Sequence, residues 1–101
     1  MAKKKEKVMV SPTVCAYHDE KDENLIIEVE LPGVKKKDLK LEMTDEGFCT
    51  SGERADSIYQ ACYRFLHEIT LDEAKAKFDS GLLTITVPFQ KPAKPKEITI
   101  E

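Results

Sequence analysis

Apolar and polar residues alternate along much of this chain, and the alternation predicts β-strands. In the clearest case, apolar residues occupy positions 25, 27, 29 and 31, while the other face carries Ile26 and glutamates at positions 28 and 30, so that it is mostly charged. A period of two places one apolar face against a core and one polar face in water. Pro32-Gly33 follows and fits the two central positions of a type II turn, since Pro presets φ and Gly accepts a positive φ. We therefore predict a strand over residues 25–31 that ends in a turn.

Two further alternating segments predict a β-hairpin. Leu39, Leu41 and Met43 share one face of the first segment, with Lys40 and Glu42 between them. The polar residues 44–47 supply a turn, and a second strand is expected over residues 48–51.

Residues 76–88 encode strand, tight turn and strand in one stretch. Ala76 and Phe78 share one face of the first arm, and apolar residues at positions 83, 85 and 87 share one face of the second. Gly81 allows a tight turn because it takes positive φ without steric cost, and the neighbouring Asp and Ser can bond to the local backbone. Pro88 ends the second arm by removing a donor.

The remaining segments are less regular. Residues 8–17 predict one edge strand interrupted near Pro12, because proline is tolerated at sheet edges and bulges. Residues 58–69 have apolar residues on both faces, so an extended strand is predicted, with a helix over residues 57–67 as the alternative. Residues 71–75 are good helix formers and predict one helical turn.

The two ends of the chain differ from the middle in composition. Residues 1–7 are nearly all charged and predict a mobile arm, and the prolines and lysines of residues 90–96 predict an extended tether. Ile98 and Ile100 lie on one side of an extended terminal segment and imply a groove elsewhere that covers them. A last strand in its own sheet or a frayed end is the alternative. We divide the chain into an arm (1–11), one domain (12–88) and a C-terminal extension (89–101).

Composition narrows the function classes. A chain of 101 residues with 41% hydrophobic content is long enough for one core and too short for two ordinary domains. The net charge of -3 disfavours nucleic acid and anionic lipid as partners. Lys35-Lys36-Lys37 could contact nucleic acid, but without interleaved aromatic residues a solvated face is the simpler interpretation. With neither a membrane span nor an apolar leader, a cytoplasmic location is the default expectation.

The cysteines and histidines do not predict a catalytic or metal site. The three cysteines are widely spaced, so we expect reduced thiols. A zinc site built from Cys15, His18, Cys49, Cys62 and His67 is the alternative, but only one close pair exists, and small core residues are the simpler interpretation. No glycine-rich phosphate loop is present. We therefore expect no cofactor and no enzymatic activity.

Several stretches in a fixed order give this sequence a family resemblance. They are Glu30-Leu31-Pro32-Gly33-Val34 with Asp38-Leu39, Ser51-Gly52-Glu53-Arg54, Ala76-Lys77-Phe78-Asp79-Ser80-Gly81-Leu82-Leu83, and Ile98-Thr99-Ile100. Together they resemble the small heat shock proteins. The resemblance implies an all-β fold: the antiparallel, immunoglobulin-like β-sandwich of the alpha-crystallin domain, with a short N-terminal arm and an extended C-terminal tail.

The resemblance also implies a function and a set of site residues. It implies an ATP-independent holdase that binds partly unfolded proteins and assembles into a homo-oligomer. The tail residues Ile98 and Ile100 would dock in a groove of another subunit, and Gly81 and Leu83 would form the family's signature turn. The groove residues implied are Leu39, Leu41, Met43, Ala76 and Phe78. A p23-like co-chaperone or scaffold that binds one folded partner is the alternative function.

Departures from the family pattern bear on assembly. The loop between Glu53 and Tyr63 is short, whereas many bacterial and plant members carry there a long loop exchanged between subunits. The dimer could then form by pairing of edge strands instead of by a strand swap. The candidate residues for that pairing are Ile58, Tyr59, Ala61, Tyr63 and Phe65. The N-terminal region, long in most members, is reduced to about ten residues.

Overall fold

Two four-stranded β-sheets stack face to face. The computed structural model describes residues 7–66, 68–90 and 97–101. Within these residues the chain forms eight strands and two short 3₁₀ helices, the latter at Lys36–Asp38 and Leu71–Glu73. The strands are β1 (Val8–Val10), β2 (Val14–His18), β3 (Asn24–Glu30), β4 (Leu39–Thr44), β5 (Gly47–Glu53), β6 (Ser57–Arg64), β7 (Lys75–Asp79) and β8 (Leu82–Pro88). The predicted all-β sandwich is confirmed.

The strand order places β4 and β7 at the edges of the two sheets. One sheet has the order β1-β6-β5-β4, and the other has the order β2-β3-β8-β7. The pairings are antiparallel except for β1, which runs parallel to β6. The predicted hairpins β4–β5 and β7–β8 are both present.

The core follows from the alternation on β3 and β8. Ile27 lies directly opposite Ile85, and both are fully buried. Each apolar residue at an odd position of these strands points at the facing sheet, while the residues between them point outward. The buried apolar residues are Leu25, Ile27, Val29, Leu31, Val34, Phe48, Tyr59, Phe65, Ile69, Leu83, Ile85 and Val87.

Two turns with positive φ lie against each other at one end of the sandwich. Val34 N–H donates to the Leu31 carbonyl at 3.2 Å, which closes the predicted turn around Gly33 at φ 83°. Ser80 and Gly81 have φ of 48° and 83°, as the two central residues of a type I′ hairpin turn require. Leu31 N–H donates to the Gly81 carbonyl at 2.6 Å, so a backbone hydrogen bond connects the two turns.

Arg54 ties the β5–β6 turn to the same end. Its Nε donates to Ser57 Oγ at 2.6 Å, and its Nη1 donates to the Pro32 carbonyl at 3.1 Å. The guanidinium also lies 4.9 Å from the centre of the Tyr59 ring, a cation–π contact. The Arg54 side chain therefore links the β5–β6 turn to β6 and to the turn that follows β3.

The structure corrects the prediction for the first strand. The segment over residues 8–17 is not one interrupted strand: β1 belongs to one sheet and β2 to the other. Pro12 lies between them, where the chain crosses from sheet to sheet without donating to either ladder. Residues 57–64 are a strand and not a helix, and the helical turn predicted within residues 71–75 is the 3₁₀ helix Leu71–Glu73.

The prediction of reduced cysteines is wrong for two of the three. Cys49 and Cys62 form a disulfide across β5 and β6, while Cys15 is an exposed free thiol. The bond forms because the two residues are directly opposite in the antiparallel register, with their Cα atoms 4.1 Å apart. Sequence spacing alone does not reveal that register.

Some predictions lie outside the described residues. They concern residues 1–6 of the charged arm (1–7), residues 91–96 of the tether (90–96) and His67 as a metal ligand.

Candidate functional site: a groove between the edges of the two sheets

A groove opens where the β4 edge of one sheet meets the β7 edge of the other. It has a volume of about 490 Å³. Its lining residues are Lys36, Leu39, Leu41, Ala76, Lys77, Phe78 and Leu83. Four of the five predicted groove residues therefore lie together around one hollow.

Alternation on the two edge strands gives the groove its apolar walls. Leu39 and Leu41 are half-buried on the inner face of β4, and the residues between and after them are exposed. On β7, Phe78 is half-buried, whereas Ala76 is exposed. Ala76 lies opposite the fully buried Ile85, so the short side chain leaves the hollow open above the core.

Met43 is the one predicted groove residue that lies elsewhere. It shares the inner face of β4 with Leu41 but is two residues further along the strand. Met43 lines a different hollow of about 690 Å³ near the β4–β5 turn, together with Phe48 and Tyr63. Met43 therefore lies outside the groove between the two sheet edges.

The lysines in the groove lining were not predicted. Lys36 belongs to the 3₁₀ helix that precedes β4, and Lys77 is an exposed residue of the β7 edge strand. No acidic residue is among the residues that line this hollow in the described part of the chain. The groove therefore combines an apolar floor with a positive rim. The basic run at positions 35–37 was the signal for Lys36, but its place beside the groove depends on the 3₁₀ helix.

The tail residues are not packed against their own domain. The exposed fractions of Ile98 and Ile100 are 71% and 93%, and residues 97–101 form no strand. Ile98 and Ile100 are separated by one residue, so in an extended conformation both side chains point to the same side. The signature residue Leu83 is by contrast nearly buried, at 2% exposure, beneath the groove.

The predicted dimer strand β6 is covered over part of its length. β1 pairs with residues 57–59 of β6, and in the described part of the chain no strand pairs with the outer edge of residues 60–64. Tyr59 and Phe65 are buried in the core, while Ile58, Ala61 and Tyr63 are half-buried. The turn between β5 and β6 spans only residues 54–56, which matches the short loop seen in the sequence.

The described residues also bear on metal binding and on membrane spanning. Among the described residues, no group of three or more His, Cys, Asp or Glu side chains could hold a metal ion. Within the same ranges, the chain has no helix long and apolar enough to cross a bilayer.

Comparison with known proteins gives a consistent match. The family model of the Hsp20/alpha crystallin family matches residues 17–101. The chain is 27% identical to the "Probable 15 kDa heat shock protein" of Leptospira interrogans, over 92% of this chain and 82% of the relative. It is 30% identical to the 16.9 kDa class I heat shock protein 1 of Triticum aestivum, over 75% of this chain and 62% of the relative. The chain thus spans less than two thirds of that plant relative.

Solved structures share the fold. Heat shock protein 16.0 from Schizosaccharomyces pombe has a TM-score of 0.73 and 25% identity, over 92% of this chain and 77% of that chain. A small heat-shock protein from Xylella fastidiosa, described as having a distinct high order structure, has a TM-score of 0.69 and 17% identity, over 89% of this chain and 95% of that chain.

Proposed function

The chain belongs to the Hsp20/alpha crystallin family, and from that premise we propose that it is an ATP-independent holdase. Family membership supports a chaperone role in general, and the relatives are heat shock proteins rather than enzymes. In our proposal the chain binds partly unfolded proteins in the cytoplasm and limits their aggregation. It assembles with copies of itself, and neither nucleic acid nor membrane is its partner.

The observation that carries the proposal is the match between the open groove and the exposed tail. The groove has an apolar floor flanked by two strand edges, and the tail offers two isoleucines on one side of an extended segment. An extended peptide that is added to a sheet edge gains affinity from backbone hydrogen bonds and specificity from side-chain pockets. We assign Ile98 and Ile100 to the hollow above Ala76 in a second copy of the chain.

Charge supports the same pairing. Glu97 and Glu101 flank the two isoleucines, and Lys36 and Lys77 line the groove. Exposed ion pairs contribute only about 0.2–1 kcal/mol each, so their main effect is on orientation and on the rate of encounter. The backbone hydrogen bonds of the added strand and the burial of the two isoleucines contribute more to the affinity than these ion pairs do.

Release of the tail uncovers apolar surface for clients. The groove lining and the half-buried residues of β4 are the apolar surface that a departing tail would leave in water. An unfolded segment with alternating apolar residues has the same chemistry as the tail and can take its place. Binding therefore needs neither nucleotide nor covalent chemistry.

Solution mass tests the docking. We expect the intact chain to form a larger assembly than a chain that ends at residue 95, because truncation removes both isoleucines and leaves the core residues in place. Ala76→Trp should reduce the assembly of the intact chain in the same way by filling the groove. Lys40→Trp is the matched control, since Lys40 lies on the outer face of β4 and is exposed. Equal masses for intact and truncated chains would contradict docking between subunits.

A further inference from the structure

The cross-strand cysteine pair lies at the position of the β5–β6 ladder where side chains approach most closely. Arg54 N–H donates to the Ser57 carbonyl at 2.9 Å, and Phe65 N–H donates to the Glu46 carbonyl at 2.8 Å. Hydrogen-bonded and non-hydrogen-bonded pairs alternate along an antiparallel ladder, so Cys49 and Cys62 are a non-hydrogen-bonded pair. Such pairs have the shorter Cα separation, here 4.1 Å.

Both cysteines point away from the core and are exposed. The neighbours of Cys49 along β5, Phe48 and Thr50, are buried, with exposed fractions of 3% and 2%. Cys49 and Cys62 lie on the opposite, outer face of the sheet. Both sulfur-bearing residues line the 690 Å³ hollow that Met43 also lines. A small thiol or a protein oxidoreductase can therefore reach the pair from solvent, and reactivity of a cysteine depends on such access.

We propose that Cys49 and Cys62 form a reversible redox site whose state determines how firmly the uncovered half of β6 is held to β5. The oxidant is a low-molecular-weight disulfide. One cysteine thiolate attacks that disulfide, forms a mixed disulfide and releases one thiol; the second cysteine thiolate then attacks the mixed disulfide and releases the other thiol. Two protein thiols are oxidised while one small disulfide is reduced to two thiols. A dithiol reductant reverses the exchange.

The position of the bond explains the structural effect. β1 supports β6 only at Ser57, Ile58 and Tyr59. Cys62 lies in the other half, residues 60–64, where β5 is the strand that pairs with β6 in the described part of the chain. Breaking the disulfide leaves this half of β6 held by β5 hydrogen bonds and core packing alone, so local opening becomes easier. This inference is independent of the proposed docking of the tail.

Counting accessible thiols tests the redox site. The full chain is equilibrated in glutathione buffers of increasing oxidised fraction, alkylated and weighed intact. We expect three alkylated cysteines under full reduction. In oxidising buffer we expect peptide mapping to find Cys49 joined to Cys62 by a disulfide, while Cys15, the free and exposed internal control, carries either the alkyl group or one glutathione. Three alkylated cysteines in every buffer, or a disulfide between Cys15 and another cysteine of the chain, would overturn the proposal.

Hydrogen exchange tests the effect on β6. Ala61 and Tyr63 lie opposite Thr50 and Phe48, and by the same alternation their amides point at β5. We expect reduction to speed exchange at these two amides by about tenfold or more, and to change the Tyr59 amide much less, because β1 supports that position. The double variant Cys49→Ser/Cys62→Ser should match the reduced protein in every buffer. Equal exchange at Ala61 and Tyr63 in both redox states would refute the proposed control of β6.

Discussion

Truncation of either tail isoleucine should weaken docking by an amount that its exposure predicts. Ile→Ala removes roughly three carbons, at about 0.8 kcal/mol for each buried CH₂. Scaled by the exposed fractions of 71% and 93%, the loss is about 1.7 kcal/mol for Ile98→Ala and about 2.2 kcal/mol for Ile100→Ala. These values correspond to docking that removes all of the remaining exposed surface of each side chain from water.

The losses convert to affinity ratios that a titration resolves. Since 1.4 kcal/mol is tenfold in Kd, we expect Ile98→Ala to weaken binding by about 15-fold and Ile100→Ala by about 40-fold. The assay is fluorescence anisotropy of a labelled peptide of residues 96–101, titrated with a chain that ends at residue 95 so that its groove is empty. Thr99→Ala is the matched control peptide, because Thr99 points to the opposite side from the isoleucines and should change Kd by less than about twofold.

A variant of the receptor chain and the Kd values of the variant peptides together test whether the two isoleucines bind in the groove. Ala76→Trp in the receptor chain should abolish binding of the unmodified peptide while leaving the far-ultraviolet circular dichroism unchanged. If the Ile98→Ala and Ile100→Ala peptides bind as tightly as the Thr99→Ala peptide, the assignment of the two isoleucines to the groove is refuted.

Three further predictions concern the turns and one loop. Gly81→Ala should destabilise the fold by about 1–2 kcal/mol in urea unfolding, because Gly81 has φ 83°, whereas Ser80→Gly should not destabilise it; equal losses would contradict the role of positive φ. Arg54→Ala should cost about 1–3 kcal/mol through its two hydrogen bonds and its contact with Tyr59, and Arg54→Lys should recover only part of this; no loss in the alanine variant would contradict the bracing role. The pKa of Asp19 is lowered, first by the hydrogen bond from the Asn24 side chain and then by backbone N–H donors. Its contribution to stability is present above the ordinary pKa of 3.8 and is lost as pH falls through the lowered value, so acid unfolding of Asp19→Asn should depend less on pH than that of the wild type.

The sandwich could be predicted because apolar and polar residues alternate with a period of two along its main strands. Residues 25–31 and 83–87 place apolar residues at every odd position, with Ile26 as the one apolar exception between them, and the resulting faces meet as the core. The split of residues 8–17 between two sheets was missed, since Val8–Val10 and Val14–His18 look alike locally and only tertiary pairing separates them.

Alternation predicts which face of a strand a residue occupies, but it does not predict how far along the groove that residue lies. Leu39, Leu41, Ala76 and Phe78 line one hollow, because alternation fixes their face and the two strands are sheet edges. Met43 has the correct face but lies too far along β4, a distance that alternation does not measure.

The disulfide shows the same limitation of local sequence patterns. Cys49 and Cys62 become direct partners only once the turn is placed at residues 54–56. A one-residue shift of that turn would move one cysteine to the opposite face of the sheet. The spacing of the cysteines in the sequence therefore could not identify the pair.

Suppression of aggregation is the most direct test of the holdase proposal. Several unrelated proteins are heated with increasing amounts of the intact chain, without ATP, and light scattering is followed. We predict that the aggregation of each protein is suppressed, and more so as the ratio of chain to client rises. The reason is that the apolar groove surface does not select for one specific partner. No suppression of any of them, together with tight binding to one folded partner, would contradict the proposal and favour a p23-like scaffold.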